Sequence, residues 1–237
     1  MTKNIKSKAM YVSDIHIPFN DTQVTEEFFV ALKREKPDML VLGGDLVDFF
    51  NISTHVKGRY PMPSIDEEID AAKKFLARLR KTAKRTKIYW LEGNHENRLE
   101  RYICSNALEL GVLSSLTIPE MFDLKKFDIE YVPDTKLLVW NNILFRHGHE
   151  MMGQSGVPGN NARKALGIYG MNYIQGHVHK ANVIRDSTFK STLVGIENPC
   201  LCTITPEFMK GAAKWQQGWT VILIDENERI QVRQTVV

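Results

Sequence analysis

Met39-Leu40-Val41-Leu42-Gly43-Gly44-Asp45-Leu46-Val47-Asp48 decides the reading of this 237-residue chain. Its first four residues are too few for a helix and apolar on both faces, as in a strand covered by helices on each side of a sheet, often a parallel one. Gly43-Gly44 lets the backbone turn sharply, which leaves Asp45 in the crevice at the strand's end, with Asp48 three residues on. The same texture recurs on either side. Residues 9–12 form a short apolar run ending at Ser13-Asp14, and residues 88–91 form another, ending at Glu92-Gly93. Between them, residues 25–34 carry Phe28, Phe29, Ala31 and Leu32 at helical spacing. Ser64-Ile65-Asp66-Glu67 is a capping-box signature. It opens a helix to about Lys84, with acids in its first turn and bases in its last, matching the helix dipole. The unit is strand–helix–strand–helix–strand, which places the chain in the α/β class.

A different texture follows. Residues 129–132, 136–140 and 143–146 are short strand-like pieces, and Asn141-Asn142 marks a hairpin turn between the last two. A helix is expected over 161–168, and strands over 173–175, 192–196, 219–224 and 230–236. The expected architecture is two packed sheets with helices outside, in a single domain over residues 1–237. Residues 50–63, 151–160 and 204–218 read as long loops, the last with a short helix; such loops often carry function.

Composition narrows the class. Apolar residues are 43% and charged residues 25%, which excludes disordered, collagenous and fibrous chains. No apolar run approaches the ~18 residues of a membrane span. Residues 1–8 are basic but no apolar segment of a secretory signal follows. Cys104, Cys200 and Cys202 form no disulfide framework, so a reducing compartment is expected, the cytoplasm, or the host's if the chain is phage-encoded. The net charge of +3 is weaker than a nucleic-acid footprint but compatible with an anionic substrate.

The chemistry lies at the strand ends. Asp14-Ile15-His16 places two metal-ligand types one residue apart, where extended backbone lets both face the same way. Asp45 can bridge two cations. Gly93-Asn94-His95-Glu96 offers a carbonyl ligand beside an imidazole that can donate a proton. Arg146-His147-Gly148-His149 follows residues 143–145, and Gly176-His177-Val178-His179 pairs two imidazoles suited to adjacent metal positions. Singly, each has a plainer reading, such as a turn aspartate, a helix cap or a surface histidine. All five in one order, each at a strand end, do not.

The order D-x-H, G-D-x-x-D, G-N-H-[DE], H-G, G-H-x-H resembles that of the calcineurin-like metallophosphoesterase superfamily, from Asp14 to His179, in the style of its small bacterial and bacteriophage members. The resemblance implies a four-layered α/β/β/α sandwich of two mixed sheets flanked by helices. It implies two divalent metal ions, Mn²⁺ foremost, with Fe, Zn²⁺ or Ni²⁺ as alternatives. Asp14, His16, Asp45 and His179 would hold one ion; Asp45, Asn94, His147 and His177 would hold the other. His95 would protonate the departing oxygen and Asp48 would orient His95 and keep it charged, with helix capping the alternative role for Asp48.

The chain departs from the family's protein phosphatases. These continue G-D-x-x-D with an Arg-Gly whose arginine grips phosphate, whereas Phe49-Phe50 follow Asp48 here. Another cation must do that work; Arg98 and Arg146 are the substrate-binding candidates, with Arg101, Arg163 and Lys180 also near motifs. The implied function is a dinuclear-metal-dependent phosphoesterase acting on phosphodiester or nucleotide-type substrates. The alternatives are a DNA or RNA nuclease or end-processing phosphatase of the same chemistry, hinted at by Arg59-Tyr60, Arg98 and Arg101-Tyr102, and a non-catalytic metal-binding scaffold. The family's repair exonucleases carry further DNA-binding regions, for which the residues after His179 leave little room.

Overall fold

Alternation along the strands sorts the side chains into three apolar layers. The computed structural model describes residues 4–54, 62–151, 153–187, 189, 191–204 and 214–237. Its strands are β1 (Ile5–Val12), β2 (Met39–Leu42), β3 (Lys87–Leu91), β4 (Ile129–Val132), β5 (Leu138–Trp140), β6 (Ile143–Phe145), β7 (Asn172–Gln175), β8 (Asn182–Ser187), β9 (Thr192–Glu197), β10 (Gly218–Asp225) and β11 (Ile230–Val236). Its α-helices are α1 (Thr22–Glu35), α2 (Ile65–Thr82), α3 (Glu96–Asn106), α4 (Ile118–Met121) and α5 (Asn160–Tyr169). Met10, Val12, Leu40, Leu42, Ile88 and Trp90 pack with Phe28, Leu32, Leu76 and Leu79 of α1 and α2. Their sequence neighbours Ala9, Tyr11, Met39 and Val41 point the other way, onto Ile143, Phe145, Ile174 and Ile196. Leu144 and Tyr173 face outward again, onto Ala165 and Leu166 of α5. The layers are therefore helix, sheet, sheet, helix, as a period of two dictates for strands buried on both faces.

Both sheets are mixed. The first runs β11-β10-β1-β2-β3-β4 and the second β5-β6-β7-β9-β8. Strands β1 to β4 are mutually parallel, with β10 antiparallel to β1 and β11 antiparallel to β10 at one edge. Strands β6, β7 and β9 are parallel, with β5 and β8 antiparallel at the edges. The parallel strands deliver their carboxyl ends to one crevice, where sites in open α/β sheets assemble.

Local chemistry sets the ends of these elements. Ser64 closes its capping box with Glu67, Oγ accepting from the Glu67 amide at 3.2 Å and the Ser64 amide donating to Oε2 at 2.7 Å. Asn141 and Asn142 take φ of 46° and 58°, as a two-residue hairpin turn between β5 and β6 requires. Helix α5 has no side-chain cap of its own. Glu197, at the end of β9, supplies one, accepting from the amides of Gly159, Asn161 and Ala162 at 2.6, 3.1 and 3.2 Å.

Two elements depart from the sequence expectation. Asn182–Ser187 is an edge strand paired with β9, and its polar, half-buried side chains hide it from an apolar pattern. Helix α4 and the 3₁₀ turns before it fill a stretch with no strong period. Of the expected loops, residues 55–61 and 205–213 lie outside the described residues, and Arg59 and Tyr60 with them.

Candidate metal centre

Backbone hydrogen bonds lace the first two strand ends together. The Asp14 amide donates to the Gly44 carbonyl at 3.0 Å, and the Ile15 and His16 amides both donate to the Asp45 carbonyl at 2.9 Å. Asp14, His16, Asp45, His177 and His179 all take positive φ, between 51° and 63°. That conformation costs roughly 1–2 kcal/mol for each non-glycine residue, and such strain gathers where a site needs side chains aimed against local preference. Gly44 has φ of 90°, and a Cβ there would come within 2.6 Å of His147 Nδ1. The second sheet's imidazole is thus seated directly on the first sheet's turn.

The side chains converge around Asp45. His147 Nε2 lies 3.3 Å from Asp45 Oδ2 and 3.1 Å from Asn94 Oδ1. His16 Nε2 lies 3.8 Å and His95 Nε2 3.7 Å from the same Asp45 oxygen. His179 Nε2 lies 3.1 Å from Asp14 Oδ1. Asp45 with His147 and His177 forms one group of candidate ligand atoms, and Asp45 with His16 and His95 forms another, so Asp45 is common to both. His16 and His179 also share a group with Cys202. A cavity of about 190 Å³ opens over the cluster, with Phe19 and Trp215 among its walls.

The tautomers show what these atoms lack. His147 Nδ1 sits 2.8 Å from the Gly43 carbonyl, to which it can only donate. Its Nε2 faces two acceptors, Asp45 Oδ2 and Asn94 Oδ1; burial lowers the His147 pKa but Asp45 outweighs it and raises it to about 10, so without a metal ion a proton holds these atoms together. His16 Nδ1 donates to Asp48 at 3.0 Å, and its Nε2 is buried without a hydrogen-bond partner. Lone pairs converging in a buried pocket suit a cation. Charge agrees: burial raises the Asp14 pKa, but nearby His179 outweighs it and holds that carboxyl at about 2. Asp45 is likewise held well below the usual carboxylate range, where His147 and His95 overcome the effect of burial. The residues present fit divalent metals.

A family model of calcineurin-like phosphoesterases matches residues 7–181. The chain belongs to this family. Two relatives match over most of their length, the "Gene 54 protein" of Mycobacterium phage L5 and the "Gene 54 protein" of Mycobacterium phage D29. The first is 25% identical over 239 residues, covering 93% of this chain and 90% of the relative. The second is 25% identical over 241 residues, covering 94% and 91%. A dimetal phosphatase from Danio rerio superposes with a TM-score of 0.54 at 12% identity, covering 98% of this chain and 96% of that one, a likeness of fold. Family membership and the candidate His/Asp groups together support a metal-dependent phosphoesterase.

Within this candidate centre of the calcineurin-like phosphoesterase chain, Asp48 and His95 are arranged differently from the expected pair. His95 Nδ1 donates to the Asp48 backbone carbonyl at 2.8 Å, while the Asp48 carboxylate lies 3.5 Å away because His16 has claimed it. Burial lowers the His95 pKa to about 4; Asp45 and Asp48 pull it up, while His16 and Arg98 add to the fall. Asp48 therefore meets His95 through its main-chain carbonyl, and its carboxylate pulls the ring's pKa up without overcoming burial. Arg98 Nη2 sits 3.1 Å from His95 Nε2, and its Nη1 donates to the Asp48 carbonyl at 2.7 Å.

Arg146 has a structural job instead of the expected contact with substrate. Its guanidinium is ion-paired with Glu150 at 2.9 Å and Asp134 at 3.2 Å, and donates to the Asp134 and Lys136 carbonyls. It does not line the cavity over the cluster. Arg163 faces Asp186 at 4.0 Å, and Lys180 donates to the Gly156 carbonyl.

Three residues joined the site unanticipated. Glu96 is buried, and its carboxylate accepts from the amides of Asp45, Leu46 and Gly93 at 2.9, 2.8 and 2.8 Å and from Trp90 Nε1 at 3.3 Å. Its place in the G-N-H-[DE] motif was the available signal. Cys202 Sγ lies 3.8 Å from His179 Nδ1, and the Trp215 ring meets the His179 ring at 4.3 Å. Neither carries a motif.

Proposed function

We propose that this chain hydrolyses phosphodiesters with two divalent metal ions held by Asp14, His16, Asp45 and His179 and by Asp45, Asn94, His147 and His177. The sharing of Asp45 between two groups of candidate ligand atoms, one with His147 and His177 and one with His16 and His95, supports this reading. Two cations there would supply the charge that stabilises a phosphoryl group under in-line attack and would acidify water beside it. Oxygen and nitrogen donors suit Mn²⁺, Fe or Zn²⁺, with Mn²⁺ the first to load.

The rest falls to the protein's own groups. The Asp48 carbonyl fixes Nδ1–H of His95 and so aims Nε2 at the cavity, where it can pass a proton to the departing oxygen. Burial lowers the His95 pKa to about 4 and Arg98 Nη2 sits 3.1 Å from Nε2, so the ring must first take up a proton at Nε2, in place of the Arg98 contact, to act as the donor. A diester suits the cavity better than a monoester. Among the described residues no lysine or arginine lines it, and a diester brings a single negative charge. The absence of Arg-Gly after Asp48 points the same way. Relatives in mycobacteriophages support a setting in the host cytoplasm.

The test compares bis-p-nitrophenyl phosphate with p-nitrophenyl phosphate on Mn²⁺-loaded protein, with Asp45→Asn as the control for contaminants. The expected result is a diester preference of about tenfold or more, equivalent to roughly 1.4 kcal/mol in the barrier. Preference for the monoester, or no hydrolysis of either by fully loaded protein, contradicts the proposal; the latter would favour a metal-binding scaffold.

A further inference from the structure

A second cavity, of about 200 Å³, adjoins the metal centre and shares Asn94 with it. Its character is the opposite. The centre is walled by aspartates and imidazoles, whereas this cavity has Arg98, Arg101, Tyr102, Ser105 and Ser53 among its lining residues and no carboxylate. Arg98, Arg101, Tyr102 and Ser105 follow the i, i+3, i+4, i+7 pattern of one face of α3. Arg98 is committed on one side, to the Asp48 carbonyl and, at 3.5 Å, to the Asp48 carboxylate. Arg101 makes no ion pair among the described residues. Tyr102 keeps 46% of its surface exposed, which leaves its ring open to a stacking partner.

We infer that this cavity is a subsite for the neighbouring phosphate of a single-stranded nucleic acid, with Arg101 binding that phosphate and Tyr102 stacking on a base. The inference rests on the phosphoesterase reading above and narrows its substrate to a diester with at least two phosphates. A cationic groove interleaved with an aromatic ring is how single strands are held without sequence preference. Arg98 joins the two cavities: it touches His95 at one end and faces the basic cavity at the other. A strand seated on Arg101 would therefore place its next phosphodiester toward Asn94 and the metal cluster. At about 200 Å³ the cavity is smaller than a typical whole-ligand site, which fits one sugar–phosphate unit of a longer chain.

The test uses a fluorescein-labelled tetrathymidylate with phosphorothioate linkages, followed by anisotropy on Mn²⁺-loaded protein across a salt series, beside hydrolysis of bis-p-nitrophenyl phosphate by the same samples. Arg101→Ala should weaken binding about fivefold or more and flatten the slope of log affinity against log salt by about 0.7, the share of one single-strand phosphate contact. Arg101→Lys should keep the slope, and Tyr102→Ala should weaken binding about fivefold or more at constant slope. The subsite is overturned if Arg101→Ala leaves affinity and slope unchanged, or if the wild type hydrolyses the small diester but does not bind the tetranucleotide. Arg101-dependent binding without hydrolysis of any diester would uphold the subsite and overturn the catalytic reading.

Discussion

His16 Nδ1 donates to the Asp48 carboxylate at 3.0 Å, and this contact ties the second aspartate of G-D-x-x-D to a metal-ligand candidate rather than to the proton donor. A carboxylate behind a ligating imidazole fixes its tautomer and raises its basicity. Asp48→Ala should therefore weaken metal binding by about 10–100-fold, measured by competition against a chromophoric chelator. Unchanged metal affinity with slowed turnover would return Asp48 to proton transfer alone.

His95 predicts a dependence on the leaving group. Its Nε2 faces the cavity and a nitrophenolate departs without needing a proton, whereas a sugar alkoxide does. His95→Ala should slow an alkyl or nucleoside diester by about 10²–10⁴-fold and a nitrophenyl ester far less. A series of aryl diesters checks this: the variant's rates should fall more steeply with leaving-group pKa. Parallel lines for variant and wild type would contradict the donor role.

Glu96 braces the centre without touching substrate. Each of its oxygens accepts two hydrogen bonds from N–H donors. Glu96→Gln keeps the shape but turns an NH₂ toward two donors, so buried N–H groups lose their acceptor. At roughly 1–3 kcal/mol for each unsatisfied group, and about 2–4 °C per kcal/mol for a domain of this size, Tm should fall by about 5–10 °C in a calorimetric scan. A fall below about 1 °C would show that the carboxylate does not hold the Asp45 turn.

Glu35 sets a pH-dependent tie between α1 and strands β1 and β11 of the first sheet. Lys8 Nζ lies 3.1 Å and Arg233 Nη2 2.8 Å from its Oε2. Burial raises the Glu35 pKa, but Lys8 and Arg233 outweigh it and the pKa is lowered. A carboxyl with a depressed folded-state pKa stabilises the fold above its unfolded pKa of ~4.3, and that stability disappears as pH falls through the folded value. Glu35→Gln should cost about 1 kcal/mol at pH 7, and the Tm difference from wild type should shrink as pH drops from about 5 to 3. A difference constant with pH would mean that packing, not charge, is lost.

Much of the frame could be read in the chain because its strands are buried on both faces. Met39–Leu42 and its neighbours are then simple apolar runs, and their ends are marked by Gly, Asp, Asn and His. Edge strand β8 could not be read that way, since none of its side chains is fully buried. The candidate ligands were legible because metal chemistry restricts residue type and the motifs keep their spacing. Arg146 was not: nearness in sequence to His147 says nothing of direction, and its guanidinium turns to Asp134 and Glu150. Nor was the exchange at Asp48, whose carbonyl and carboxylate serve different histidines. Cys202 and Trp215 reach His179 only through the path of the chain after β9.

The central claim is that Asp45 joins two metal sites into one catalytic centre. Elemental analysis of wild type and Asp45→Asn after Mn²⁺ loading and desalting, paired with bis-p-nitrophenyl phosphate turnover, tests it most directly. The account predicts two ions per wild-type chain, loss of at least one in Asp45→Asn, and a fall in turnover of about 10²-fold or more, at least ~2.7 kcal/mol of barrier. Two ions retained by Asp45→Asn, or wild-type hydrolysis undiminished after chelation, would contradict it.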